Sequence, residues 1–321
     1  MADRIGVIGA GAFGTALAVA QAAAGREVVL WARDAAAAEA MVRRRENAAR
    51  LPGVALPVGV VPTAAFDRID AEVLLLAVPT QSLRGMLEAQ AAALAGRRLV
   101  ACCKGVELGT GRLPSEVIAD VVPTARAAVL TGPSFAADIA AGKPTALTLA
   151  ATGPGAAPLQ EALSTRSLRL YLSEDLTGAQ LGGALKNAIA IAAGVTIGAG
   201  LGESARAALM TRGFAEMLRF AESRGATAET LHGLSGLGDL ILTCTSEKSR
   251  NYRHGLAIGS GAQPDAGTTV EGVATAQALA ASVPADTVPV TAMVAALLAG
   301  RIGLDAAIEA LLSRPLKRER D

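Results

Sequence analysis

The sequence predicts an α/β fold, with an N-terminal Rossmann-type, doubly wound and mainly parallel sheet followed by an all-helical C-terminal domain. Up to about residue 172, short apolar runs alternate with helical patterns, which is typical of strands covered on both faces. A glycine-rich turn directly follows the first of these runs. From about residue 178 the chain has long helical periods and almost no strand signal.

The length of 321 residues is enough for two domains, on a prior of roughly 100–200 residues each. We expect a dinucleotide-binding domain over residues 1–178 and a helical substrate-binding domain over residues 179–321. Since 51% of the residues are hydrophobic and only 2% aromatic, the core is built mainly from Ala, Val, Leu and Ile. A ligand is expected in the cleft between the two domains.

Charge and composition argue against several functional classes. With 30 basic and 29 acidic residues, no net field favours nucleic acid or a membrane surface. Three cysteines without ligand spacing and two histidines predict no metal site. The N-terminus resembles a strand and turn rather than a signal peptide, and Gly and Pro interrupt the apolar runs. We therefore expect a cytoplasmic protein without a membrane span, and a solvated basic end at 314–320.

Seven strands are predicted, and the last of them are expected to join the sheet edge in another direction. They are RIGVIG (4–9), EVVLWA (27–32), VLLLAV (73–78), RLVACC (98–103), AAVLTG (127–132), TALTLA (145–150) and LRLYL (168–172). In the second half, helices are predicted over 179–199, 203–225, 270–281 and 290–300.

The glycine-rich turn GAGAFG comes after the first strand and opens a helix, which is the context that a dinucleotide-binding turn requires. Gly9 permits the tight turn, Gly11 lets the backbone approach a pyrophosphate, and Gly14 lets helix and strand pack closely. The helix N-terminus then offers N–H groups to the phosphate oxygens.

The end of the second strand bears on cofactor choice. Arg33 lies about 20 residues beyond the glycines, where a guanidinium suits the 2′-phosphate of NADP. Asp34 follows it and could instead bond a ribose 2′-hydroxyl. The sequence thus favours NADPH and leaves NAD open.

Polar residues also follow the fourth and fifth predicted strands. Lys104 lies just beyond the fourth, and Gly132, Ser134 and Ala136 lie just beyond the fifth. Because ligands of open α/β sheets bind at the carboxyl ends of strands, we expect these residues at a binding site.

The second half contains one polar segment, residues 233–255, within an apolar helical region. Asp239 follows a glycine-rich turn there. Ser246 or Ser249 can cap a helix whose first turn holds Arg250 and Asn251. An arginine at a helix N-terminus suits a dianion such as phosphate.

Lys186 and Asn187 stand just before an uncharged run, residues 188–202. Such a lysine either snorkels to the surface or serves chemistry. An apolar setting and a second cation at Lys104 would lower the pKa of Lys186, whereas Asp239 would raise it. The sequence leaves that balance open.

Taken together, six segments resemble the bacterial-type NAD(P)-dependent glycerol-3-phosphate dehydrogenases, in the family's order from residue 9 to residue 272. They are GAGAFGTALA, CCKGVE, TGPSFA, LKNAIAIAAG, GLGDLILTCTSEKSRNYRHG and TVEG. The resemblance implies reversible reduction of dihydroxyacetone phosphate by NAD(P)H to sn-glycerol 3-phosphate for phospholipid synthesis, without a metal.

The same resemblance implies the site residues. Lys186 falls on the catalytic base, and Lys104 and Asp239 complete the catalytic set. The implied substrate contacts are Lys104, Gly132, Ser134, Lys186, Asn187, Asp239, Thr243, Ser249, Arg250 and Asn251. The implied cofactor contacts are Gly9, Gly11, Ala12, Phe13, Gly14, Arg33, Arg50, Lys104, Ala136, Arg250 and Glu271, with Arg50 on the adenine side.

Two alternatives stay open from the sequence. A related two-domain hydroxy-acid reductase would use a lysine of its helical domain but would need a carboxylate-binding group instead of the Ser-Arg-Asn phosphate site. A non-catalytic NADP-sensing protein would keep the glycine turn and Arg33 without needing Lys104, Lys186 and Asp239 together. A small phosphate-bearing substrate is the expected partner, and a homodimer is left open.

Overall fold

The computed structural model describes residues 4–265, 267 and 269–312. The basic end predicted at 314–320 lies outside these residues. The described chain combines an eight-stranded sheet with fourteen α-helices. It has the predicted class, a Rossmann-type sheet followed by helices.

The sheet has the strand order β3-β2-β1-β4-β5-β6-β7-β8, and the order reverses beside β1. All neighbouring strands are parallel except β6 and β7, which are antiparallel. The strands are β1 (Arg4–Ile8), β2 (Glu27–Trp31), β3 (Val60–Thr63), β4 (Val73–Leu76), β5 (Arg98–Ala101), β6 (Arg126–Thr131), β7 (Thr145–Ala150) and β8 (Leu168–Ser173).

All seven predicted strands are present, and the antiparallel step from β6 to β7 confirms the change of direction near one edge. The sequence reading missed β3, which pairs with β2 at the opposite edge. Pro62 lies within β3, and a proline in an apolar run argues against a strand unless that strand is at an edge.

Six helices cover the sheet, and a 3-10 turn lies at Phe66–Arg68. The helices are α1 (Ala12–Ala23), α2 (Ala35–Arg44), α3 (Thr80–Leu94), α4 (Pro114–Val121), α5 (Ala136–Ala140) and α6 (Ala156–Leu163). Alternate residues of β4 belong to two separate buried clusters, with Leu75 in one and Leu74 in the other. The strands are therefore buried on both faces, which explains their continuous apolar runs.

The remaining helices pack around α7. They are α7 (Leu176–Gly198), α8 (Gly202–Ser223), α9 (Ala228–His232), α10 (Asp239–Cys244), α11 (Arg250–Gly259), α12 (Glu271–Ser282), α13 (Pro289–Leu298) and α14 (Leu304–Leu312), with a π-helical turn at Leu234–Gly238 before α10. The predicted helices correspond to α7, α8, α12 and α13, whereas the short α9 and α10 and the terminal α14 were not resolved from sequence. The predicted boundary at residue 178 falls in the first turn of α7, and the division into two domains stays a prediction.

Among the described residues, α7 is the one helix long and apolar enough to cross a membrane. Its most apolar stretch is 89% buried inside the protein. The hydrophobicity of α7 is thus used in the core, where neighbouring helices surround it.

Glycines bring α7 and α11 into backbone contact. A Cβ added at Gly194 would lie 2.1 Å from the Tyr252 carbonyl oxygen, and one added at Gly255 would lie 2.0 Å from the Ile191 carbonyl oxygen. Gly198 and Gly259 are equally crowded by the opposite helix. The contact fixes α11, and with it residues 249–251, against α7.

We expect Gly255→Ala to lower the free energy of unfolding by about 1–3 kcal/mol, because the methyl group forces the helices apart. The matched control is Gly85→Ala in α3, where an added Cβ meets no atom within 4 Å. That change should raise stability by up to about 1 kcal/mol through lower backbone entropy of the unfolded chain. Denaturant unfolding checks both values, and equal effects would contradict the packing argument.

Candidate active site at the carboxyl edge of the sheet

The glycine turn between β1 and α1 forms an open cradle. Gly9 has φ +110°, and a Cβ there would lie 2.7 Å from the Ala77 carbonyl oxygen. A Cβ on Gly14 would lie 2.1 Å from the Gly9 carbonyl oxygen. Gly11, the N-cap of α1, faces open space, and no side chain caps this helix end. The backbone therefore fits a dinucleotide pyrophosphate, with Ala12 and Phe13 half-buried in the first turn.

Beyond the end of β2, Arg33 and Asp34, the two residues considered for cofactor choice, have different environments. Asp34 is the N-cap of α2, and its Oδ1 accepts from the backbone nitrogens of Ala36 at 2.8 Å and Ala37 at 3.2 Å. Arg33 is exposed. Asp34 is thus already engaged by its own helix. Arg50 is also exposed, in the turn after α2, and neither arginine contacts the lysine cluster described next.

Asp239 lies between two lysines. Its Oδ1 is 2.7 Å from Lys186 Nζ, and its Oδ2 is 2.6 Å from Lys104 Nζ. Asp239 is 1% exposed and Lys186 is 6% exposed. Three separate segments meet here: Lys104 follows β5, Lys186 is on α7, and Asp239 begins α10 directly after the π-helical turn.

Further hydrogen bonds fix both ammonium groups. Lys186 Nζ donates to Thr243 Oγ1 at 2.6 Å, one turn along α10 from Asp239. Lys104 Nζ donates to the Gly132 carbonyl oxygen at 2.8 Å, just beyond β6. Ser134 is partly buried, with its hydroxyl donating to the same carbonyl at 3.3 Å, and Ala136 begins α5 beside it. The residues predicted beyond the fourth and fifth strands therefore converge with the α7 lysine.

Two adjacent glycines of α7 make the convergence sterically feasible. A Cβ on Gly182 would lie 2.6 Å from the Ser235 carbonyl oxygen in the π-helical turn. A Cβ on Gly183 would lie 2.6 Å from Thr131 Oγ1 and 3.5 Å from Lys104 Cγ. Side chains at either position would push α7 away from the sheet and from Asp239.

Burial and mutual contact shift the pKa values of Lys186 and Asp239. Burial lowers the pKa of Lys186 to about 8, because desolvation outweighs attraction by Asp239, and Lys104 adds repulsion between like charges. Burial alone would raise the pKa of Asp239, but the two lysines outweigh it and hold that pKa below its usual range. The site thus keeps an ionised carboxylate beside an amine that can exchange a proton near neutral pH.

Beside the lysines, a chain of amides crosses the site. Asn187 Nδ2 donates to the Lys104 carbonyl oxygen at 3.1 Å, and Asn251 Nδ2 donates to Asn187 Oδ1 at 2.9 Å. Asn251 Oδ1 in turn accepts from the Gly272 nitrogen at 3.0 Å, at the start of α12. The segments carrying the predicted cofactor and substrate contacts are therefore hydrogen-bonded to one another.

The N-terminus of α11 lies where the sequence predicts an anion site. Ser249 is the N-cap, its hydroxyl accepting from the Tyr252 nitrogen at 3.2 Å, and Arg250 is exposed in the first turn. Ser249 rather than Ser246 is therefore the cap. Free N–H groups of a helix end, together with a guanidinium, suit a phosphate dianion.

Glu271 begins α12 and reaches the first turn of α3. Its Oε1 accepts from the Thr80 nitrogen at 3.3 Å, and burial raises the pKa of Glu271. Sequence reasoning placed Glu271 at the cofactor but missed Thr80, although Thr80 lies beyond the carboxyl end of β4 and the same strand-end argument applies. It also missed Thr131, whose hydroxyl is buried without a hydrogen-bond partner among the described residues.

Within the described part of the chain, no cluster of three or more His, Cys, Asp or Glu side chains is arranged to hold a metal ion.

Comparisons with known proteins cover nearly the whole chain. The family profiles described as NAD-dependent glycerol-3-phosphate dehydrogenase N-terminus and C-terminus match residues 4–157 and 175–309. The chain is 59% identical over 321 residues to glycerol-3-phosphate dehydrogenase [NAD(P)+] of Cereibacter sphaeroides, covering 98% of this chain and 100% of that one. It is 57% identical over 319 residues to the enzyme of the same name from Roseobacter denitrificans, covering 98% and 99%. The crystal structure of glycerol-3-phosphate dehydrogenase from Coxiella burnetii superposes with a TM-score of 0.92 at 34% identity, covering 97% and 99%.

Proposed function

Because the chain belongs to the NAD-dependent glycerol-3-phosphate dehydrogenase family, we propose that the Asp239 cluster carries the reversible reduction of dihydroxyacetone phosphate to sn-glycerol 3-phosphate. The protein is an NAD(P)-dependent oxidoreductase with a small phosphate-bearing substrate. The single observation that carries the assignment of roles is the buried Asp239 carboxylate shared by Lys104 and Lys186. The family disfavours both a hydroxy-acid reductase and a silent sensor, and the lysine cluster argues further against the sensor.

Bound NAD(P)H supplies the hydride, and the protein must hold it and manage the proton. The turn from Gly9 to Gly14 would hold the pyrophosphate, and Glu271 and Ala136 would line the nicotinamide half. Arg33 and Arg50 would lie at the adenosine half. The open space at Gly11 supports the position given to the pyrophosphate.

Lys186 is the general acid of the reduction and the base of the reverse reaction. As the ketone is reduced, negative charge develops on its oxygen, and Lys186 Nζ donates a proton there. In the oxidation of the alcohol, the neutral amine accepts the hydroxyl proton. Asp239 and Thr243 orient the amine through their bonds of 2.7 and 2.6 Å. Lys104 adds a second cation beside the same oxygen.

The substrate phosphate is bound by Arg250, Asn251 and the N-terminus of α11. This group is remote from the reacting carbon, so its binding energy orients the ketone toward Lys186. Gly132, Ser134 and Asn187 contact the remaining substrate atoms. Support comes from the capped helix end and the amide chain from Asn251 to the Lys104 carbonyl.

NADPH is the favoured cofactor over NADH. The exposed guanidinium of Arg33 is available for a 2′-phosphate, whereas Asp34 accepts two backbone hydrogen bonds from α2. The reaction is assigned to the cytoplasm, where its product would supply phospholipid synthesis. A homodimer stays a prediction, which sedimentation velocity tests.

The assay for the proposal is loss of 340 nm absorbance when dihydroxyacetone phosphate is added to the enzyme with NADPH. Lys186→Ala should lower kcat by about 10²–10⁴-fold, the usual contribution of general acid catalysis, while the variant still binds NADPH. Lys143→Ala, which removes an exposed lysine paired with Asp138, is the control and should keep wild-type turnover. Near-wild-type turnover of Lys186→Ala would contradict the assigned role.

Arg250→Ala should raise the KM for dihydroxyacetone phosphate by at least about 10-fold, the scale of a lost charge-assisted contact of roughly 1.4 kcal/mol. The matched control is Arg253→Ala, three residues further along α11 and exposed. Steady-state kinetics at saturating NADPH compare the two. An unchanged KM in Arg250→Ala would mean that the phosphate binds elsewhere.

Arg33→Ala should raise the KM for NADPH by about 10-fold and leave the KM for NADH nearly unchanged, because only NADPH carries the 2′-phosphate that the guanidinium would contact. Arg43→Ala, an exposed arginine in the last turn of α2, is the control. Equal effects on both cofactors would remove Arg33 from the basis of cofactor preference.

A further inference from the structure

The segment that carries Lys104 contacts α3 through residues 105–108. We call residues 104–112 the Lys104 segment; it follows β5 and runs to α4 without regular secondary structure. Within it, Glu107 and Arg112 form a backbone hydrogen bond of 2.9 Å, and Gly111 bonds back to the Glu107 carbonyl at 3.0 Å. These two bonds shape the loop but do not join it to the rest of the protein.

Gln81, in the first turn of α3, forms two hydrogen bonds with the backbone of the Lys104 segment. Its Nε2 donates to the Val106 carbonyl oxygen at 2.8 Å, and its Oε1 accepts from the Leu108 nitrogen at 2.9 Å. One side-chain amide thus satisfies a backbone acceptor and a backbone donor two residues apart. This pairing fixes residues 106–108 in one position against α3.

Arg84 adds a charged contact one turn further along the same face of α3. Its Nε and Nη2 donate to the two carboxylate oxygens of Glu107 at 2.9 and 3.1 Å. The Glu107 side chain is only 10% exposed, and the arginine bonds hold its pKa below the usual range. A two-pronged bond of this kind fixes orientation as well as distance.

The residues between these contacts and Lys104 have little freedom. The Lys104 carbonyl accepts from Asn187, and a Cβ on Gly105 would lie 2.7 Å from Thr80 Oγ1 and 2.8 Å from Glu271 Oε2. Every residue from 104 to 108 therefore bonds to, or packs tightly against, a neighbouring element. The first two turns of α3 supply most of these contacts.

We propose that Gln81, assisted by the Arg84–Glu107 pair, is a positioning residue that holds the Lys104 ammonium at the reacting end of the site. The proposal rests on the role of Lys104 given under the proposed function. Neither Gln81 nor Arg84 touches the lysine cluster directly. Both act through the backbone of the Lys104 segment, and a shift of about 1 Å in a positioned group can cost 10²-fold in rate.

If the Lys104 segment is displaced, the pKa of Lys186 should change. Lys104 repels the ammonium of Lys186 and occupies one oxygen of Asp239. If Lys104 moves away, the repulsion falls and Asp239 attracts Lys186 more fully, so the pKa of Lys186 rises. In the reduction, the loss of rate at high pH should then set in at higher pH. A substitution that only destabilised the fold would not shift the pH at which the rate of reduction falls; we call this fall the high-pH limb.

The test uses Gln81→Met, which keeps the length of the side chain and removes both amide bonds. Its matched control is Gln160→Met on α6, where a single amide bond of 2.8 Å to the Leu170 carbonyl is lost near the edge strand β8. Glu107→Gln is the second variant, with Arg4→Gln as its control. Arg4 also donates Nε and Nη2 to a carboxylate, that of Glu27, but at the amino end of β1.

Gln81→Met should lower kcat/KM for dihydroxyacetone phosphate by about 10-fold or more. It should also shift the high-pH limb to higher pH by about half a pH unit or more. It should still bind NADPH, and Gln160→Met should match wild type in both readouts. A folded Gln81→Met variant with the activity and pH limb of Gln160→Met would overturn the proposal. If Gln81→Met does not fold, the same two measurements, kcat/KM and the high-pH limb, are made on Glu107→Gln and compared with Arg4→Gln. The same outcomes then support or overturn the proposal.

Lys104→Ala separates this proposal from the proposed function beneath it. If Lys104→Ala loses activity while Gln81→Met and Glu107→Gln do not, the role of Lys104 stands and the positioning role fails. If Lys104→Ala itself retains wild-type activity, the role of Lys104 and the inference built on it both fail. Loss of activity in all three variants, with the pH limb displaced in Gln81→Met, is the expected result.

Discussion

The carboxylate of Asp239 is the interaction on which the rest of the site depends. A buried carboxylate is costly unless it is paired, and here each oxygen has its own lysine, one from the sheet edge and one from the central helix. The charge of Asp239 keeps two ammonium groups close together in spite of their repulsion. Burial still leaves the pKa of Lys186 low enough for proton exchange, so the contact that holds the three segments together is also the one to which we assign the proton transfer.

This contact explains several local features of the chain. The glycines of α7 at 182 and 183 let that helix approach both the π-helical turn and Lys104. The glycines at the contact between α7 and α11 hold the N-terminus of α11, the proposed phosphate site, close to the lysines. Helix α7 is therefore apolar along most of its length, and its one lysine, Lys186, makes the polar contact with Asp239. Its composition, which on its own resembles a membrane span, reflects burial on all sides.

Much of the fold could be predicted because parallel strands covered on both faces leave continuous apolar runs. Strand β3 escaped because Pro62 interrupts its pattern and it pairs on one side only. Glycines and strand ends pointed to Gly9 and Lys104, and a helix-capping pattern pointed to Ser246 or Ser249, of which the structure has Ser249 as the cap. Gln81 was missed because its role depends on contacts with residues 25 and 27 positions away, which local patterns do not encode. Thr80 and Thr131 lie at the carboxyl ends of strands, where the strand-end argument applies, but only the structure shows their contacts with Glu271 and α7.

The central claim is that one amine, Lys186, gives a proton in reduction and takes it in oxidation. The most direct measurement is kcat/KM against pH in both directions, with dihydroxyacetone phosphate and with sn-glycerol 3-phosphate. Because the acid form is needed for reduction, its rate should fall above a pKa of about 8, and because the base form is needed for oxidation, its rate should rise and level off above the same value. Profiles that move in the same direction, or that show no inflection near this pH, would contradict the account.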